Sequence, residues 1–432
     1  MSSLVIQLAR LGDLLQSLPL CRALRERGEL HLALAFDPGR RLRREADHVF
    51  VLEPWSLARA SARPAAFLHR LRDALGAGTE SALLARDYDR VVCLNEDPAA
   101  LALARLARGV KRLGAGAPGD PYARWLRVMG PRRRENRLLL AEAMLALLPG
   151  RESPAPAAEP PGEGDVVLHA GSGSGHRRLP AAFWAGLARG LIEACDRRVL
   201  LTGGPEERAA CRELEAAVAR PDRLLNLCGG TDLDELHDLL ERAALVVAQD
   251  TGVLHLAAHL RRPLIGLYHG PAWAWETAPW LAGAHVLQAV EDCSPCLEGA
   301  PCADFACRER LRPASAAALA AALLEGRRLD VGGGGCRHLV ARADRGGVHL
   351  VDAAAIDDPA PDPERERQLV DVRGLSGGVP TRDESARCRR LDFARRAGMT
   401  AERWREREWG APPRSLSEDW RWRAEAEMLE AR

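Results

Sequence analysis

Lysine is nearly missing from this chain of 432 residues: Lys111 stands alone, and arginine supplies every other basic side chain. A coding bias explains that better than selection for anion binding. Net charge is missing as well. Sixty-one basic residues face 60 acidic ones, and a formal charge of +1 excludes the strong positive field of a nucleic-acid-binding surface. No apolar run approaches the ~18 residues needed to cross a bilayer. The first ten residues lack a basic stretch followed by a long apolar one, so they read as a strand of the mature protein, not a signal peptide. The expectation is a cytoplasmic protein whose eleven cysteines are mainly reduced. Five of these (Cys21, Cys93, Cys195, Cys211 and Cys228) lie in core-like stretches and read as small buried hydrophobes.

What is present is alternation. Apolar β-branched runs at residues 4–9, 31–36, 48–52, 90–94 and 110–113 are separated by segments of helical period at 14–27, 57–75 and 98–108, and a helix at 135–148 follows. Residues 150–164 are rich in Pro, Ala and Glu without apolar period, which marks a linker. The alternation then restarts with strands at 165–169, 198–201, 224–227, 245–248 and 263–267, and helices at 181–194, 206–219, 232–242 and 253–260. Two parallel α/β sheets joined by one linker predict two Rossmann-like domains facing across a cleft, with ligands beyond the carboxyl ends of the strands. The predicted layout is an N-terminal domain over 1–149, a linker over 150–164, a C-terminal domain over 165–330 and a charged extension over 331–432 read as disordered or weakly helical. Trp404, Trp409, Trp420 and Trp422 crowd among arginines at its end. Such a surface suits a peripheral membrane contact or a partner helix.

The most informative stretch runs from Val246 through Asp250-Thr251-Gly252 to His255 and Ala258. A buried strand ends in a tight turn and a small-residue helix follows, whose first amides have no partner inside the helix and suit an anion. Gly12-Asp13 follows the first strand in the same way: Gly12 allows an unusual backbone angle, and Asp13 is either an N-cap or a base facing the cleft. His169-Ala170-Gly171-Ser172 opens a glycine-rich loop that continues to Arg177 and Pro180, suited to a diphosphate or simply flexible. Thr202-Gly203-Gly204 and Cys228-Gly229-Gly230 place glycines between strand and helix, as tight turns or as a bed for a nucleotide. Cys293, Cys296, Cys302 and Cys307 lie within fifteen residues and are compatible with a structural tetrathiolate zinc site, free thiols or a disulfide.

In this order the motifs resemble the family 9 glycosyltransferases, the group of the lipopolysaccharide heptosyltransferases, over roughly residues 4–326. The resemblance implies a GT-B fold with the acceptor on the first domain and a nucleotide-diphosphate sugar on the second. It implies inverting transfer that needs no metal or other cofactor, typically of heptose from ADP-heptose onto a glycolipid or glycan acceptor of the cell envelope, at the inner face of the inner membrane. Asp13 matches the catalytic base, and Gly12 lies beside it. Asp250, Thr251, Gly252 and His255 match the donor corner, with His169, Ser172, Thr202, Gly203, Gly204 and Gly229 around it. Arg177 stands where the family has a phosphate-binding lysine, and Leu179 where it has a tryptophan. A nucleotide-sugar epimerase and a catalytically degenerate scaffold protein of the same fold are the competing readings.

Overall fold

The computed structural model describes residues 1–117, 122–123, 125–126, 133–148, 155–302, 304–344, 347–357, 362, 364–365 and 368–369. The four C-terminal tryptophans lie outside these residues, and so do residues 149–154 of the linker.

The first domain is a five-stranded parallel sheet in the order β3-β2-β1-β4-β5. Its strands are β1 (Ser2–Gln7), β2 (Glu29–Leu34), β3 (His48–Val51), β4 (Asp87–Cys93) and β5 (Arg108–Gly114). Its helices include Leu11–Arg25, which contains Pro19, and a pair, Pro54–Ala60 and Pro64–Leu75, where the sequence suggests one helix. The break has a simple cause. Pro64 forces Arg63 into extended backbone, at φ −127° and ψ 100°. The helix expected over 135–148 shortens to Leu140–Leu145 behind a 3-10 turn, Arg133–Glu135. Buried Asn136 competes for the backbone there, accepting from Leu138 N at 2.9 Å and donating to Leu138 O at 2.9 Å.

The second domain carries eight strands in the order β13-β12-β11-β10-β9-β6-β7-β8. The six from β6 (Val166–His169) through β7 (Val199–Thr202), β8 (Leu224–Asn226), β9 (Leu245–Gln249), β10 (Leu264–Tyr268) and β11 (His285–Ala289) are parallel. The last two, β12 (Cys336–Ala343) and β13 (Val348–Asp352), are antiparallel and belong to what the sequence presented as an extension. That is a correction to the boundary at 330. The apolar runs at 338–341 and 348–351 flank a turn closed by Asp344 and Gly347, the pattern of a hairpin. In the second half of the linker Ala158 N donates to Ala282 O and Glu159 N to Arg261 O, so that half is laid along the second domain.

In both sheets the chain reverses its direction of growth beside the central strand, between β1 and β4 and between β6 and β9. Those are the positions where open α/β sheets leave a crevice. The two domains also share one hydrophobic cluster. Leu14, Leu15 and Leu18 of the first helix belong to it together with Val253, Leu254, Leu256 and Ala257 of the helix Gly252–His259. Polar ties surround that seam: Asp234 accepts from Arg40 N and Arg41 N at 3.0 and 2.8 Å, and Arg22 meets His259 Nδ1 at 3.1 Å.

The segment after β13 returns to the first domain. Arg365 pairs with Glu142 at 2.5 Å and with Asp344 at 2.7 Å, and the Arg365 and Glu142 side chains are 7 % and 0 % exposed. Burial pushes the Glu142 carboxyl up to about 7 against the pull of Arg365. Removing one member of such a pair strands the other in the interior. Arg365→Ala is therefore expected to lower the unfolding free energy by about 3–5 kcal/mol, read by denaturant titration of the full chain.

Candidate active site

A cleft of about 1500 Å³ separates the two domains, and the carboxyl ends of β1, β6 and β9 open into it. From the first domain come Arg10, Gly12, Asp13, Trp55, Asn95 and Asp97; from the second, His169, Ser172, Arg177, Thr202, Gly203, Gly204, Asp250, Thr251, Gly252 and His255. All but one of the sequence-predicted donor and catalytic residues are thereby brought to one place. The exception is Gly229. It lies behind the cleft wall at φ +67°, donates its N–H to Gly203 O at 2.8 Å, and supports the Gly203 turn without lining the cleft.

Gly12 and Gly252 lie at a point where the two domains meet. A Cβ on Gly12 would lie 3.6 Å from Gly252 Cα and 3.4 Å from His255 Cδ2, and one on Gly252 would press on Leu11 Cγ at 2.9 Å. Gly12 is helical, so the unusual backbone angle expected of it is absent, and a Cβ there would meet only ordinary van der Waals contacts; the size constraint falls on Gly252. Two helix N-termini thus point into one cleft, each with unpaired amides and the positive end of its dipole.

Asp13 sits in the first turn of its helix and accepts from Arg10 N at 3.1 Å. Burial raises its pKa above the usual carboxylate value, and the Asp250 charge adds to that, while the Arg10 amide and His255 pull the other way. Across the cleft Asp250, whose side chain is 7 % exposed, is held by Arg177 Nη1 at 3.2 Å and lies 3.6 Å from His255 Nε2. Arg177 reaches Glu298 as well, through Nε at 3.1 Å. Burial works against its charge, but Asp250 and Glu298 outweigh that and keep the guanidinium firmly protonated. Thr251 does not cap the helix with its side chain: its buried hydroxyl finds no hydrogen-bond partner among the described residues, which leaves it free for a ligand.

His169 Nδ1 lies 3.1 Å from Thr202 Oγ1, whose own proton goes to Leu168 O at 3.3 Å. The Thr202 oxygen then accepts from Nδ1–H, and Nε2 remains a bare acceptor. Burial lowers the His169 pKa to about 4, so the ring is neutral. Leu179, the position where the family has a tryptophan, turns out to be a core position. It is 2 % exposed, belongs to the cluster of Phe183 and Trp184, and donates its N–H to Gln249 Oε1 at 2.7 Å.

Three contributors were not singled out from the sequence. Glu207 accepts from Ser172 N at 2.8 Å and Gly204 N at 2.7 Å, clamping both glycine loops with one carboxylate. Gln249 ties Leu179 N to Gly171 O, the latter at 3.1 Å, and so fixes the glycine-rich loop to the end of β9. Arg10 extends across the cleft: a Cβ on Gly173 would lie 3.1 Å from its Nη1. Gly204 followed three residues later by Glu207 is the spacing of a capping box, the one local signal available.

The cysteines depart from expectation at one pair. Cys211 and Cys228 form a disulfide instead of standing as separate reduced thiols. In the other group Cys293 and Cys302 are exposed, Cys307 is buried with its sulfur 4.0 Å from His269 Nδ1, and Cys302 lies 3.9 Å from Asp304. The four thiols are free and stay in one neighbourhood, since Cys296 feels the charge of Cys293 and Cys302, and Cys307 that of Cys293, Cys296 and Cys302. Their segment is tied to the first domain, where Arg133 donates to Cys296 O at 2.9 Å and to Glu276 at 2.6 Å. It also carries Glu298 to Arg177.

Two Rossmann-like domains, with a helix start suited to an anion on one wall of the cleft and a half-buried carboxylate on the other, have the GT-B architecture. Residues 154–303 match the model of glycosyltransferase family 9 (heptosyltransferase). Lipooligosaccharide heptosyltransferase 2 of Haemophilus influenzae is 34 % identical over 119 residues, 27 % of this chain and 33 % of that protein. Lipopolysaccharide heptosyltransferase 2 of Escherichia coli is 34 % identical over 116 residues, 26 % and 33 % of the respective chains. The chain thus spans about a third of the length of these relatives. The fold extends further. The structure of E. coli ADP-heptose lps heptosyltransferase II aligns with a TM-score of 0.55 at 20 % identity, covering 76 % of this chain and 99 % of that one. A family 9 glycosyltransferase from Veillonella parvula gives 0.55 at 15 %, covering 75 % and 97 %.

The clamp has a measurable consequence. Glu207→Ala leaves the amides of Ser172 and Gly204 without their acceptor and frees both loops. Donor affinity is expected to fall about tenfold or more, since hydrogen bonds to a charged group contribute roughly 1.5–3 kcal/mol each. Isothermal titration with nucleoside diphosphates reads it.

Proposed function

We propose that this protein is an inverting glycosyltransferase that moves a sugar from a nucleoside diphosphate donor to a hydroxyl of a cell-envelope glycan or glycolipid. The observation that carries this reading is the meeting of Asp13, from the first domain, with Arg177 and the helix start at Thr251 and Gly252, from the second. The family match and the two heptosyltransferase relatives favour heptose from ADP-heptose, and lipopolysaccharide core as the acceptor.

In this mechanism the acceptor oxygen attacks the anomeric carbon from the side opposite the diphosphate. Its proton passes to Asp13, the carbon–oxygen bond to phosphate breaks, and the electron pair leaves with the diphosphate. The negative charge gathering on the leaving group is met by the amides of the Gly252–His259 helix, the Thr251 hydroxyl and Arg177, with Arg10 reaching in from the other wall. These are fixed positive groups, so the leaving group is neutralised without a divalent cation, and chelator-treated protein should retain its activity. The paired glycine loops clamped by Glu207 lie where nucleoside and sugar would rest against backbone. Contact with the inner membrane is consistent with a glycolipid acceptor, and no helix among the described residues is long and apolar enough to cross a membrane.

The base assignment makes three linked predictions. Asp13→Asn should lower turnover about 10²–10⁴-fold, the usual contribution of a general base, with donor affinity nearly unchanged. The folded protein holds the Asp13 proton more tightly than the unfolded chain does, so ionisation at neutral pH costs stability, a cost that appears as pH rises through the raised pKa. The Asn variant should therefore melt no lower than wild type at pH 7. In the wild type, turnover should fall on acidification at a pH above the ordinary aspartate value of about 3.9. Full activity in the Asn variant, measured as nucleoside diphosphate release that depends on acceptor, would refute the role.

A further inference from the structure

At the opposite end of the first sheet from the cleft, where the strands begin, three side chains are brought together that the transfer reaction does not use. Glu29 and His31 are two residues apart on β2 and so project from the same side of the sheet. His48 opens β3, and the parallel register sets it directly beside His31. Glu29 Oε1 lies 2.9 Å from His31 Nε2 and 3.8 Å from His48 Nε2, and one ligand atom from each of the three falls within 4.8 Å of the others.

We infer that Glu29, His31 and His48 form a binding site for a zinc-class divalent cation. A tetrahedral ion with bonds of about 2.0–2.1 Å holds neighbouring ligand atoms roughly 3.3 Å apart, between the two separations observed. The donor set, two imidazoles and one carboxylate, is the one that such an ion takes when a fourth position is left to water. The surroundings are built in the same sense. His31 Nδ1 lies 3.0 Å from the hydroxyl of Tyr88, so with Nε2 on the ion the Nδ1–H donates to a fixed oxygen, the arrangement that orients a metal-bound imidazole. The His31 side chain is 3 % exposed. Arg86 holds the other oxygen of Glu29, leaving Oε1 for the ion. His48 is 60 % exposed, which gives the ion a path from solvent. The ion would clamp the edge strand β3 to β2 beside the helix Ala77–Leu84, roughly 15–20 Å from the cleft by the length of β2.

The test uses the untagged full-length protein, stripped with a chelator and titrated with Co²⁺ and Zn²⁺ beside the variant His48→Ala, whose exposed position spares the fold. Wild type should take up one equivalent of Co²⁺ more than the variant. The difference spectrum should show visible ligand-field bands without the near-ultraviolet thiolate-to-cobalt band, which separates this site from the cysteines. Zinc should raise the melting temperature of wild type more than that of His48→Ala, and Tyr88→Phe should weaken binding about tenfold. Equal uptake by wild type and His48→Ala, or a lost equivalent that carries the thiolate band, would overturn the assignment.

Discussion

The structure turns on the contact between Gly12 and Gly252. Both lie at helix starts beyond the carboxyl end of a central strand; a Cβ on Gly12 would meet Gly252 Cα at an ordinary 3.6 Å, whereas one on Gly252 would press on Leu11 Cγ at 2.9 Å, so the two helix starts pack directly on each other. Behind the contact the same two helices bury Leu14, Leu15, Leu18, Leu254 and Leu256 against each other, so the apolar seam and the polar cleft are two ends of one helix pair. An interface of that kind fixes the mutual position of the domains more firmly than a polar one. Two positive helix ends aimed at one cleft make an anion site that neither domain possesses alone.

The charges in the cleft follow from that arrangement. Asp13 and Asp250 sit near the two helix starts, where a carboxylate is favoured, yet they oppose each other, and burial adds to the penalty on Asp13. Asp250 is relieved by Arg177, which Glu298 shares from the other side. Asp13 has a backbone amide and the charges of His255 and Arg10, which do not offset its burial. One carboxylate is therefore neutralised and suited to positioning, while the other keeps its affinity for a proton. That asymmetry is what a base beside an anionic leaving group requires.

Much of this was legible in the chain. Strand, turn and helix at 246–258, and the glycine-rich loop after β6, carry their signal locally, in β-branched runs followed by glycine and a small-residue helix. What was missed depends on reach across the fold. Glu207 and Gln249 act by holding loops distant in sequence, and no periodicity announces the partner of a buried side chain. Leu179 illustrates the reverse: its departure from the family's motif suggests a defect in the donor site, but its side chain belongs to the core. The hairpin of β12 and β13 was obscured by the Gly332 to Gly335 run before it and by the charged residues around it. Gly229 was assigned to the cleft because glycine at a strand end reads alike whether it faces a ligand or a second turn.

The most direct measurement of the central claim is a crystal structure of the protein with an intact nucleoside diphosphate sugar. The diphosphate should lie on the amides of Gly252 and Val253 within reach of Arg177 and the Thr251 hydroxyl. The face of the anomeric carbon opposite the diphosphate should open toward Asp13. A diphosphate bound away from the Gly12–Gly252 contact, or a sugar whose open face is turned from Asp13, would contradict the account.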